Sequence, residues 1–135
     1  MIDRLMGYTV HKAEVFRPHT ILFTKENETI TVLMLQEAVS HMIDAVTKKN
    51  PALQQYKVTL KVLRAVQIRL TNRQPRKPSK NEIKVACDVL SEIQKEHTAT
   101  ETQRDNIDRA ASWCKLFIDC FIRDEPLEDS HRLSV

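Results

Sequence analysis

Glycine is almost missing from this chain: there is one, Gly7, in 135 residues. Phosphate-cradling loops, nucleophile elbows and type I′ hairpins all use glycine to reach positive φ, so sites and turns of those kinds are not expected. Long apolar runs are also missing. The longest, Val32 to Leu35 and Leu116 to Ile118, fall far short of the roughly 20 apolar residues that span a bilayer, which excludes a membrane-inserted helix. The first seven residues have no apolar stretch behind a basic start, so no secretory signal is expected and an intracellular setting is. The three cysteines, Cys87, Cys114 and Cys120, are odd in number and lack CxxC spacing. In a reducing compartment they read as small buried hydrophobes rather than as disulfide or metal partners.

The content that remains is that of one folded domain. Hydrophobic residues make up 41% and charged residues 29% of the 15.7 kDa chain, close to the globular average and sufficient for a single core. Charge is unevenly spread. Residues 1–51 carry 6 basic and 6 acidic side chains, residues 52–80 carry 8 basic and none acidic, and residues 81–135 carry 7 basic and 12 acidic. A net charge of only +3 therefore conceals a strongly cationic middle, which bears on partners rather than on fold.

Patterning predicts a mainly α domain, a four-helix-bundle-like assembly over residues 1–124 behind a short β element at 7–24, with a mobile tail at 125–135. Residues 7–16 and 20–24 are rich in β-branched and aromatic side chains, with Arg17-Pro18-His19 between them as a turn. No glycine follows Pro18, so a looser connection than a two-residue hairpin is expected. Helix one is predicted over about 31–49 from Val32, Leu35, Val39, Met42, Ile43 and Val46 at three- and four-residue steps. Residues 28–35 also alternate as a strand would. Helix two is predicted over 51–70, started by an Asn50 cap and Pro51 at the first helical position. Leu53, Tyr56, Val58, Leu60, Val62, Leu63, Val66 and Leu70 would sweep about two thirds of its circumference. An extended alternative exists there, since even positions from Tyr56 to Leu70 alternate with polar ones, but the stretch is much longer than the usual strand of about 5 to 6 residues.

Residues 71–80 hold two prolines and four basic residues without an apolar side chain, as a solvated connection does. Ser79 and Glu82 form a capping-box pattern ahead of helix three, about 80–97, whose buried face would be Ile83, Ala86, Leu90 and Ile93. Thr98 with Glu101, or Thr100 with Gln103, offers another before helix four, about 101–123. There Ile107, Ala110, Cys114, Phe117 and Phe121 line one side, and Asp105–Arg109, Lys115–Asp119 and Asp119–Arg123 are expected i,i+4 ion pairs.

Catalytic and metal-binding constellations are weak. The histidines at 11, 19, 41, 97 and 131 have no ligand partner at metal spacing; His41 and Asp44 read as a solvated pair, and His97 as a helix-end cation. Asp129-Ser130-His131 has the residue types of a triad but lies in the tail, without a scaffold for an oxyanion hole. Asn27-Glu28-Thr29 matches a glycosylation acceptor, of consequence only in a secreted chain. A Leu133-Ser134-Val135 ending resembles peptides that add to a sheet edge, a common composition. No enzymatic role, metal or cofactor is expected.

The cationic middle is the feature above background. Lys57, Lys61 and Arg64 fall at i, i+4 and i+7, a stripe on a helix, and Arg69, Arg73, Arg76, Lys77 and Lys80 continue it. Arginine and lysine without opposing carboxylates suit phosphate contacts and counterion release. Without a glycine turn, an aromatic RNA-binding strand or a zinc set, nucleic acid would be held by its backbone rather than read by sequence. A solvated face, or one that meets the chain's own acidic helices, is the plain alternative. The leading expectation is thus a regulatory binding protein with an anionic partner, and the competing one is a protein-interaction or inhibitory module, homodimeric through an apolar edge of helix four formed by Trp113, Leu116, Phe117, Cys120 and Phe121 with Ile122. Those same side chains would equally serve to close the monomer's core against the strands.

Overall fold

A computed structural model describes residues 4–5, 7–50, 52–96 and 101–123, the side chains of 4–5 and 101–105 excepted. Four strands, β1 (Arg4–Leu5), β2 (Tyr8–Val10), β3 (Ile21–Lys25) and β4 (Glu28–Thr31), form an antiparallel meander in sequence order. Four helices follow, α1 (Val32–Thr47), α2 (Gln54–Leu70), α3 (Lys80–Glu96) and α4 (Glu101–Phe117), and a π-helical turn, Ile118–Ile122, extends the last. The mainly α bundle-like fold with a small N-terminal sheet is as the patterning predicts.

Within the sheet, strict alternation fails for a local reason. Ile21 pairs with Thr31 and Phe23 with Ile30, so Leu22 sits in an irregular register; the bulge lets the adjacent Leu22 and Phe23 both be buried while Ile21 stays exposed. A tight hairpin that the patterning did not anticipate joins β3 to β4 without a glycine. Lys25 faces Glu28 across a two-residue turn of Glu26 and Asn27, with Glu26 at φ 51° doing what glycine does elsewhere. The ten-residue connection from β2 to β3 is the looser link that Pro18 implied. It also serves α1, whose first amides donate outside the helix: Val32 N to Thr20 O and Leu33 N to Pro18 O, at 3.0 and 3.1 Å. Thr31 Oγ1 accepts from Met34 N. Residues 28–35 thus divide, strand to Thr31 and helix from Val32.

Asn50 does not cap α2, and Pro51, expected at its first position, lies outside the described residues. The Asn50 side chain accepts from Ala52 N at 3.0 Å, an Asx turn one step too early, and α2 begins at Gln54 behind Leu53, which is extended and 45% exposed. The buried arc of α2 is Tyr56, Thr59, Val62, Leu63, Ala65, Val66 and Leu70, narrower than expected because Val58 and Leu60 are only half-buried. Thr59 is fully buried; its hydroxyl donates to Gln55 O at 2.7 Å, so no polar atom is stranded. The capping box forms at α3, with Ser79 N to Glu82 Oε1 at 2.9 Å and Glu82 N to Ser79 Oγ at 3.1 Å. The expected boxes at 98–103, His97, the side chain of Asp105, the tail at 125–135 with Asp129, Ser130 and His131, and the Leu133-Ser134-Val135 ending lie outside the described residues.

Neighbouring helices close into a ring, α1 on α2, α2 on α3, α3 on α4 and α4 on α1. Lys49 meets Glu96 in an ion pair, and Tyr56 Oη donates to Glu92 Oε2, so α2 begins where α3 ends and the two run antiparallel. Across the π turn that extends α4, Asp119 and Arg123 pair as expected, at 2.7 Å. Lys115 does not pair with Asp119. Its ammonium crosses to α3, donating to Ser91 Oγ and Gln94 Oε1 at 2.9 Å each, and Gln94 donates onward to Ser112 Oγ and Asp108 O. That network ties α3 to α4 through their half-buried margin.

Candidate functional site

The end of α2 is built from its last turn upward. Arg73 N donates to Ile68 O and Asn72 N to Arg69 O, the paired bonds of a Schellman cap, with Asn72 at φ 66° in the left-handed position that glycine usually fills. Asparagine tolerates that conformation and brings a side chain glycine lacks. The freed chain then runs over 73–79 along the outside of α2 and turns into α3 at Ser79.

Between α2 and this connection lies a groove of about 200 Å³, lined by Ala65, Ile68, Pro75 and Pro78 below and by Lys61, Arg64, Arg76, Lys77 and Glu82 around it. Ala65 and Pro78 are buried, whereas Ile68 is 40% exposed. The concavity thus sets an apolar floor beneath four cations and one carboxylate. Glu82 is committed to its surroundings: the Ser79 amide, and then the Lys61 ammonium, hold its carboxyl below the usual carboxylate range. It is therefore ionised at neutral pH.

The proposed cationic residues do not share one fate. Lys57 and Arg64 are exposed on one stripe of α2, as their spacing predicts, and Arg73 and Arg76 are exposed on the connection. None of these four has a carboxylate partner among the described residues. Lys61 stands on the same stripe but is paired with Glu82 at 3.0 Å. Arg69 leaves the set: its guanidinium lies over the Phe16 ring, 4.6 Å from the centroid, and is half-buried. That contact joins α2 to the β2–β3 loop 53 residues earlier in the chain, which a stripe drawn from spacing alone does not reveal. Lys77 lines the groove.

The apolar edge of α4 is not an edge. Leu116, Phe117, Cys120 and Ile122 are buried within the chain's own core, and Trp113 and Phe121 are half-buried against it. The π turn, closed by Arg123 N to Ile118 O, stacks Phe121 on Phe117 with centroids 4.9 Å apart. Phe16 meets both rings edge-on, and Phe23 meets Phe121. Phe117 and Phe121 thus seal the end of helix four against the sheet and its loop, and Leu116, Phe117 and Cys120, buried in the chain's own core, are not exposed as contact anchors.

His41 and Asp44 are both exposed with no hydrogen bond between them among the described residues, and no group of three or more histidine, cysteine or acidic side chains there is arranged to hold a metal ion. No helix among the described residues is long and apolar enough to cross a membrane. Comparison of the chain with protein-family models, with curated proteins and with solved structures finds no match.

Proposed function

We propose that this chain is an intracellular, non-catalytic regulatory binding module that holds the backbone of a nucleic acid along the outer face of α2 and the connection behind it. One observation carries this: Lys57, Arg64, Arg73 and Arg76 are exposed without carboxylate partners among the described residues, on a stretch of 29 residues that contains no acid. Lys57 to Arg64 spans two helical turns, about 10 Å, so the stripe presents successive cations to a polyanion. Arg64 and Arg76 offer planar donors suited to bidentate phosphate pairing. Lys61 adds less, because its charge is already partly met by Glu82.

Binding of fluorescein-labelled random-sequence oligonucleotides, followed by anisotropy as salt is raised, tests the assignment. With four or five phosphates contacted, log K is expected to fall against log salt with a slope of about −3 to −4.5. Absence of binding at low salt, or binding insensitive to salt, contradicts it.

A further inference from the structure

The groove beside the stripe has chemistry that phosphate contacts do not need. Its floor of Ala65, Ile68, Pro75 and Pro78 is apolar, and leaving Ile68 40% exposed there has no benefit for an anion. Glu82, at the rim and ionised, repels a phosphate. The flat face of a nucleobase is apolar, however, and its edge carries amino donors that a carboxylate accepts. Guanidinium groups, two of which line this groove, also lie readily on base planes. At about 200 Å³ the space is below the roughly 300–1,000 Å³ of pockets that enclose a whole drug-sized ligand. It suits one ring system of a longer molecule held elsewhere.

We infer that the groove receives one unstacked base of a single-stranded nucleic acid whose backbone lies on Lys57, Lys61 and Arg64. This rests on the backbone-binding function proposed above and narrows it. The base lies on Ile68 and the prolines, its amino edge toward Glu82, and its flanking phosphates meet Arg64 and Arg76. A duplex keeps its bases stacked and paired, so it can use the stripe and not the groove.

Three ligands of equal length separate the contributions: a single-stranded oligonucleotide, the same strand with every base replaced by an abasic site, and the duplex. The full chain is expected to bind the single strand about tenfold more tightly than the abasic strand, within the range measured for base stacking on protein side chains. Ile68→Ser, checked by far-ultraviolet circular dichroism for an unchanged fold, is expected to erase that tenfold difference while leaving the salt slope and duplex binding unaltered. Arg64→Glu should instead weaken all three ligands and make the slope shallower by about 0.7 to 0.9. Equal binding of the abasic and parent strands, or a difference that survives Ile68→Ser, overturns the base-binding role while leaving backbone binding in place. Failure to bind any of the three overturns both.

Discussion

Asn72 grips the backbone of Phe16 at both ends: its Oδ1 accepts from Phe16 N at 2.5 Å and its Nδ2 donates to Phe16 O at 2.7 Å. One residue thereby ends α2, pins the β2–β3 loop and sets the Phe16 ring under Arg69 and against Phe117 and Phe121. The two duties separate by substitution. Asn72→Gly keeps the left-handed turn and loses the clamp, at about 1–3 kcal/mol. Asn72→Ala loses both, with about 1–2 kcal/mol more for the left-handed backbone. Urea denaturation midpoints give the order; equal midpoints for the two variants contradict it.

Phe117 decides between core and interface. It is wholly buried and stacked on Phe121, so Phe117→Ala is expected to cost about 3–5 kcal/mol in denaturant unfolding. Its association state, measured by light scattering, should match that of the parent chain. A variant of undiminished stability that has lost an oligomer contradicts the burial.

Acid sensitivity follows from the two ends of α3. The Glu82 carboxyl is lowered in the fold by the Ser79 amide and Lys61, and that of Glu96 by Lys49. A depressed carboxyl stabilises fully above its unfolded value, near 4.5, and the contribution disappears as pH falls through the lower folded value. Melting temperature is therefore expected to hold from pH 7 to about 5 and to drop below 4.5. Glu82→Gln, which cannot ionise, should show a smaller drop. Ser79→Ala should cost about 1 kcal/mol at neutral pH, read by denaturant midpoint.

Thiol reactivity tests the packing of the third and fourth helices. Burial pushes the Cys114 thiol well above its ordinary range and raises that of Cys87, and Cys120 is buried. Cys114 is expected to stay unmodified by Ellman's reagent in native buffer at pH 8 and to react only after unfolding in guanidinium. Prompt native reaction at Cys114, mapped by mass spectrometry, contradicts the packing.

Helix periodicity and the Ser79–Glu82 box were legible because both are local: side chains three and four apart share a face whatever surrounds them. Asn50 misled because an Asx turn and a helix cap begin with the same side-chain bond. The Glu26–Asn27 turn was invisible because a non-glycine residue carries the positive φ. For the candidate site, spacing placed Lys57, Lys61 and Arg64 on one stripe. It did not show that Arg69 belongs to Phe16, that Lys61 belongs to Glu82, or that Ile68 and two prolines floor a groove. Each depends on contacts between segments distant along the chain. The surplus apolar surface of helix four was likewise a surplus only until the sheet and its loop were set against it.

The most direct measurement is anisotropy of a labelled single-stranded oligonucleotide with the triple variant Lys57→Glu, Arg64→Glu, Arg76→Glu, all three exposed and outside the core. The expected result is binding by the parent chain that disappears in the variant, with the helical circular dichroism of the two proteins superimposable. Undiminished binding by a folded triple variant would contradict the assignment of the α2 stripe as the docking surface.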